Sequence, residues 1–247
     1  MPGSRILAAA AAAIATIAVG PGAFSQTRAP AVVLDHVIYG VPDLAAAARH
    51  FETAHGVAPV FGGVHPGRGS ANFLAALDGG AYLEIIGPNP DISPPEETGA
   101  MLSALERPQL ITFAFRTADA DETARAAREA GFDPAGPTPG ARRTPDGGAL
   151  TWRAVALGGH DFCEYAPFFI EWGAGSAHPS TTSPAGLSVE AIRIFHPRAD
   201  ELNAAYAALG MPIEAEKSAE PRMEVVLNGP AGAFTLSKAG ACETSLF

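Results

Sequence analysis

The chain has 247 residues and a formal net charge of −10, and its composition is 47% hydrophobic, 17% charged and 8% aromatic. Charge below the ordinary ~25%, with ordinary apolar content, excludes a disordered or solvating chain. The excess of 26 acidic over 16 basic residues leaves no basic footprint for nucleic acid. The 27 glycines and 22 prolines mark a loop-rich globular protein, and the length suffices to bury a core without a metal or disulfide staple.

The N-terminus reads as a secretory signal peptide over residues 1–25. Arg5 supplies a positive charge, Ile6 to Val19 is an apolar run, and Ala23-Phe24-Ser25 gives the small-x-small pattern of a cleavage site. A bilayer span needs ~20 predominantly apolar residues, so this run is short for a membrane anchor. The expectation is a periplasmic or secreted protein cleaved after Ser25 and free of the membrane thereafter. In such a compartment Cys163 and Cys242 either pair or stay as two small buried residues, and they lack the close spacing of a structural zinc site.

The rest of the chain repeats one pattern. Val32–Tyr39 reads as a strand, Asp43 caps a helix carrying Leu44, Ala48 and Phe51, and Gly56 stops it. Leu110–Phe115 is again a strand, followed by a helix from about Asp119 to Gly131. Leu187–Phe195 is a third, followed by a helix from about Arg198 to Gly210. Each stop is followed by an apolar residue and then a proline. A period this long means repeated supersecondary units. Further strands follow each helix: Ser70–Leu77 and Ala81–Ile86 around Asp78-Gly79-Gly80, then Ala149–Leu157 and Phe162–Trp172, then Met223–Leu227 and Ala233–Leu236. The fold class is α+β, with βαβββ modules over 32–108 and 109–185 and a shortened third over 186–240, joined in one domain of mostly antiparallel strands. The stretch from Gly62 to Gly69 reads as a glycine-rich loop holding His65.

Leu34-Asp35-His36-Val37, Val41-Pro42-Asp43-Leu44 and Tyr82-Leu83-Glu84-Ile85 stand in an order that resembles the vicinal oxygen chelate superfamily of glyoxalases, extradiol dioxygenases and bleomycin-resistance proteins. Gly62-Gly63-Val64-His65-Pro66-Gly67-Arg68-Gly69-Ser70-Ala71-Asn72 and Pro167–Trp172 point to its glyoxalase-like domain branch, and the resemblance spans about residues 32–240. It implies a cup-shaped mixed sheet around a divalent metal (Zn, Fe, Mn or Ni), with ligands from the first and last strands of each module. Transferred by position, His36 and Glu84 are the ligands of module one. Glu171 aligns with Glu84 as the last-strand ligand of module two. At the distance before the helix stop where His36 stands, module two has Ile111 with Thr112 beside it, so the usual fourth ligand is lacking. His65 is the best substitute, since glycines on both sides let its backbone approach a ligand closely.

Imidazole and carboxylate do suit a divalent ion, and strand alternation puts Leu34, His36 and Ile38 on one face and Tyr82, Glu84 and Ile86 on another. Each residue also has an ordinary role open to it. His36 would serve as a hydrogen-bonded core histidine, Glu171 as a solvent-facing strand end, His65 as a turn cap and Asn72 as a strand start. Arg68, Arg142 and Arg143 either bind an anionic substrate or are solvated. His50, His55, His160, His178 and His196 carry no functional expectation. Two functions follow. One is a metal-dependent isomerase, lyase or dioxygenase acting on a small molecule with vicinal oxygens. Glu84 and Glu171 would move protons in it, and Asn72, Arg68 and Phe169 would line the substrate site. The other is a metal-free protein that sequesters a small ligand, suggested by the missing ligand and by Phe168, Phe169 and Trp172. No nucleic acid partner is expected, and whether two chains form a homodimer is left open.

Overall fold

A computed structural model describes residues 32–240 of the chain, so the expected signal peptide and Cys242 lie outside the described residues. The first module begins with β1 (Val33–Gly40) and α1 (Leu44–His55). Asp43 caps α1 by accepting from the Ala46 N–H at 2.8 Å, and Gly56 ends it in the left-handed region at φ 72. The buried face of α1 is Leu44, Ala47 and Phe51. The module continues through β2 (Val60–His65), β3 (Ser70–Ala76) and β4 (Tyr82–Pro88), with β3 and β4 joined by a 3-10 turn at Asp78–Gly80. A short α2 (Glu97–Ser103) leads to the second module. It comprises β5 (Gln109–Arg116), α3 (Ala120–Glu129), β6 (Ala135–Arg143), β7 (Ala149–Ala156) and β8 (Phe168–Trp172).

The two modules close into one eight-stranded barrel of order β1-β4-β3-β2-β6-β7-β8-β5. In each module the first strand lies parallel to the last: His36 faces Tyr82 across β1 and β4, and Ala114 faces Phe168 across β5 and β8. The modules meet along an antiparallel β1–β5 ladder and along β2–β6. Outside the barrel, Phe51, Leu83, Phe113, Phe115 and Phe169 belong to the main apolar core. A smaller cluster of Ile38, Ile86, Leu102, Ile111, Ala114, Phe168 and Ile170 sits toward the cup.

After β8 come a short α4 (Pro179–Thr182), β9 (Ser188–His196), α5 (Ala199–Ala208), β10 (Ala215–Lys217), β11 (Arg222–Gly229) and β12 (Gly232–Ala239). These strands form a separate sheet of order β10-β9-β11-β12. The third unit thus shares the element pattern of the modules but not their strand order, because β9 lies between β10 and β11. Tyr206 Oη donates to the Tyr165 carbonyl at 2.5 Å, and the buried Lys238 Nζ lies 3.3 Å from Glu164, tying this sheet to the loop before β8. Cys163 in the same loop is disulfide-bonded, and the sequence has one other cysteine, Cys242.

Strands β2 and β6 are the ones the sequence hides. Val-Phe-Gly-Gly-Val-His and Ala-Gly-Pro-Thr-Pro-Gly-Ala-Arg-Arg carry the glycines and prolines of loops, so the expected glycine-rich loop is in fact a strand that ends at His65. The glycines are there because β2 and β6 come very close at the pair Val64↔Arg143. A Cβ on Gly63 would stand 1.7 Å from the Arg143 carbonyl oxygen, and Gly63 has φ 134. Gly63→Ala is therefore expected to cost about 3 kcal/mol, from the backbone conformation and the forced separation of the strands. Gly67→Ala, at φ 71 with nothing within 4 Å of its Cβ, isolates the backbone part at about 1 kcal/mol. Thermal unfolding of the two variants side by side checks the difference, and equal midpoints would refute the close-approach argument.

Candidate functional site in the cup

The cup begins with a β-bulge. The register of β1 against β5 shifts between Leu34 and His36, so Asp35 is an extra residue in the strand. The bulge lets Asp35 and His36 turn inward together, and Asp35 Oδ1 lies 2.6 Å from His36 Nδ1. A carboxylate only accepts, so His36 Nδ1 carries the hydrogen and Nε2 is the atom turned into the cup. The other oxygen of Asp35 accepts from Trp172 Nε1 at 3.0 Å and from His178 Nε2 at 2.9 Å. Asp35 is fully buried, and burial alone would raise its pKa. The hydrogen bonds from His178 and His36 outweigh burial and hold the carboxyl well below the usual range.

Glu84 stands in the middle of the cup wall. Strand pairing sets Leu74 opposite Glu84 and Asn72 opposite Ile86, so Asn72 and Glu84 are diagonal neighbours on one face. Asn72 Nδ2 donates to Glu84 Oε1 at 2.7 Å. Two imidazoles flank the carboxylate: His36 Nε2 is 3.7 Å from Oε2, and His65 Nε2 is 3.6 Å from Oε1. His65 faces Ser70 across β2 and β3, and its Nδ1 is 3.0 Å from Ser70 Oγ. Burial lowers the His65 pKa against the opposing pull of Glu84, which keeps this ring neutral at neutral pH. Tyr82 stacks on His36 with ring centroids 4.7 Å apart, and burial together with the charges of Glu84 and Asp35 pushes its phenol pKa well up.

These residues line a cavity of about 320 Å³. Of the residues expected from the sequence, His36, His65, Arg68, Asn72 and Glu84 meet there. Glu171 and Phe169 do not. Strand β8 turns Phe168, Ile170 and Trp172 into the cup, so its odd-numbered residues face outward. Glu171 instead accepts from the Ala120 N–H at 2.8 Å, at the start of α3, and from Arg153 Nη2 at 2.6 Å. Phe169 is buried in the main core beside Phe115. Matching Glu171 to Glu84 slips the strand by one residue, which exchanges its faces. In the structure Ile170 occupies the place of Glu84 and Ala114, not Ile111, that of His36.

Three contributors were not marked by the sequence: Asp35, His178 and Trp152. Asp35 was in the quoted motif, but only the bulge reveals that it faces inward beside His36. His178 follows the second module and reads as a turn before Pro179. Arg142, open from the sequence to anion binding or to solvation, could not be told from Arg143 because β6, which buries Arg142 and exposes Arg143, was not recognisable as a strand.

Among the described residues no group of three or more His, Cys, Asp or Glu side chains is placed to hold a metal ion. The donor types around Glu84 suit a divalent ion, but the two imidazoles address different oxygens of the carboxylate and Oε1 is already taken by Asn72. The places that would complete a ligand set hold Ala114 and Ile170. As placed, the residues fall short of the four-ligand set that the resemblance implied.

A family model described as "Glyoxalase-like domain" matches residues 34–210. The chain belongs to the glyoxalase-like domain family. That family falls in the vicinal oxygen chelate superfamily, as the sequence resemblance implied. No curated protein matches the chain. Among solved structures it is similar to a hypothetical protein from Staphylococcus aureus, at 15% identity over 85% of this chain and 88% of that one, with a TM-score of 0.60. It is also similar to a mutant 4-hydroxymandelate synthase from Streptomyces coelicolor, at 13% identity over 85% of this chain and 63% of that one, with a TM-score of 0.51. A methylmalonyl-CoA epimerase from Mycobacterium tuberculosis matches at 22% identity over 56% of this chain and 85% of that one, with a TM-score of 0.39. At such identities the first two show a shared fold, while function has to be argued from the site itself.

Proposed function

We propose that this glyoxalase-like protein is an enzyme that moves a proton on a small oxygenated molecule held in the cup, with Glu84 as the group that takes the proton and returns it. The observation that supports this is the setting of Glu84: a buried carboxylate facing a cavity, fixed by Asn72 and flanked by two imidazoles whose other nitrogens are engaged by Asp35 and Ser70. A carboxylate oriented in this way meets the geometric need of a general base, and the neighbouring imidazoles offer places for the proton to go. Isomerase or lyase chemistry, in which a proton leaves the carbon next to a carbonyl, uses such a group directly. A resident Zn, Fe, Mn or Ni ion is the competing reading, favoured by His36 and His65 both turning Nε2 toward Glu84.

The test combines solvent exchange with metal analysis. The purified protein is incubated in D2O with a panel of α-hydroxyaldehydes, α-keto acids and catechols, and deuterium uptake at carbon is followed by NMR. Uptake in at least one compound is expected. No uptake by any compound, with apolar ligands still raising the unfolding midpoint, would replace the enzyme by a sequestering protein. A stoichiometric divalent ion that is lost in both His36→Ala and His65→Ala would replace the metal-independent reading. The proposal includes export, argued from residues 1–25. N-terminal sequencing of the protein recovered from the periplasm is expected to start at Gln26, and a retained Met1 would refute it.

A further inference from the structure

The cup contains a buried cation with no carboxylate in contact with it; the nearest charge acting on it, Glu84, stands across the cup beyond ion-pair distance. Arg142 is 4% exposed and lines the cavity, yet among the described residues it has no carboxylate within ion-pair distance. Its hydrogen bonds all leave through Nη1, to the Gly62 carbonyl and, at 3.5 Å, to Asn72 Oδ1. A buried guanidinium ordinarily has a carboxylate or phosphate beside it, because the fork of N–H donors is costly to strip of water unpaired. The backbone is arranged to keep Arg142 in this place. Gly62 has no side chain where a Cβ would come within 2.4 Å of Arg142 Nη1, so β2 passes directly under the guanidinium.

An aromatic shelf adjoins it. Gly140, two residues before Arg142 on β6, has no Cβ because the Trp152 indole lies where one would be, 2.3 Å away at Nε1. Trp152 continues to Trp172, with ring centroids 5.7 Å apart. On the other side, Asn72 touches Arg142 through Oδ1 and Glu84 through Nδ2, so one amide spans the distance between the cation and the proton-transferring carboxylate.

From this juxtaposition we infer that the cup takes a small organic monocarboxylate, its carboxylate on Arg142, its flat apolar body on Trp152 and Trp172, and the carbon next to the carboxylate turned toward Glu84. The inference rests on the cup being the substrate site and names the class of molecule bound there. A single buried guanidinium matches one negative charge better than the two of a phosphate ester. The cavity volume is at the small end of ligand sites, which limits the body to about one ring. Arg68, exposed at the rim, adds positive charge along the way in.

The test uses the full mature chain and four probes measured by isothermal titration: benzoate, phenylacetate, benzyl alcohol and phenyl phosphate. Wild type is expected to bind phenylacetate or benzoate at least tenfold more tightly than benzyl alcohol, and phenylacetate more tightly than phenyl phosphate. R142Q is expected to lose at least tenfold in carboxylate affinity with benzyl alcohol unchanged, while E84Q retains carboxylate binding. Equal affinity of wild type for the carboxylates and benzyl alcohol would overturn the inference without any variant. So would a folded R142Q that binds carboxylates as wild type does, or tighter binding of phenyl phosphate. If R142Q does not fold, R142K replaces it. That variant keeps the charge but not the two-pronged fork, and is expected to lose part of the carboxylate preference. Carboxylate binding that persists while no compound exchanges deuterium would leave this inference standing and remove proton transfer by Glu84.

Discussion

Glu84→Gln is expected to lower deuterium exchange at carbon by a factor of about 10²–10⁴, the range that a positioned general base supplies. The substitution keeps the size of the side chain and an oxygen that can accept from Asn72 Nδ2, so the wall of the cup is preserved and only the basic oxygen is removed. Two comparisons separate loss of chemistry from loss of structure. Glu171→Gln removes a carboxylate that the sequence made an equal candidate, yet it lies outside the cup between Ala120 and Arg153. Exchange is expected to be unchanged there. Asn72→Ala leaves Glu84 ionisable but unheld, and a loss smaller than that of Glu84→Gln is expected because the base survives while its orientation does not. Each variant is read by its initial exchange rate at saturating substrate, with thermal unfolding as a control for folding. Exchange in Glu84→Gln equal to that of wild type would remove Glu84 from the mechanism.

The largest expected effect on stability is at Asp35. Its carboxylate is fully buried and holds His36, His178 and Trp172 at once, at 2.6, 2.9 and 3.0 Å. Asp35→Asn puts an amide donor where two imidazole N–H groups and one indole N–H need acceptors, so at least one donor is left unpaired in the interior. A loss of about 3 kcal/mol follows from breaking one side of a buried charged cluster, which is about 6–12 °C in the unfolding midpoint for a chain of this size. The pH dependence has a definite sign. The folded-state pKa of Asp35 is depressed, so its stabilisation is present above the unfolded value, near 3.9, and drains away as pH falls below it. Asp35→Asn is therefore expected to be most costly at neutral pH and to converge on wild type in acid. A variant whose deficit stayed constant from pH 7 to pH 3 would show that the network contributes through packing and not through charge.

The fold was legible wherever a physical signal repeats. Asp43 and Asp119 each accept from the backbone three residues on, and Gly56 and Gly131 take positive φ just after the helices those residues cap. These local rules carried the α+β class and the module pattern. What stayed hidden had its cause in contacts between modules. β2 and β6 have the composition of loops because Gly62, Gly63 and Gly140 are needed for close approach to Arg142, Arg143 and Trp152, and no local propensity announces that need. The same holds at the site. The family resemblance brought out His36 and Glu84, and the facing of β1 and β4 agrees with it by turning both into the cup. Glu171 was misplaced because two strands with similar letters were matched by their glutamates, when only their neighbours fix which face is inward. Asp35 required the bulge, and a bulge leaves no mark in a single sequence.

The barrel is built from two like halves that present unlike surfaces to the same space. One half carries Glu84, His36, His65 and Asn72; the other carries Arg142, Trp152, Phe168, Ile170 and Trp172. On the proposed function, what is done to a bound molecule and which molecule is bound are written in separate stretches of the chain. Substitutions in β6 to β8 can trade one guest for another while the reacting groups keep their mutual distances, and a chain organised in this way can change its diet without relearning its chemistry.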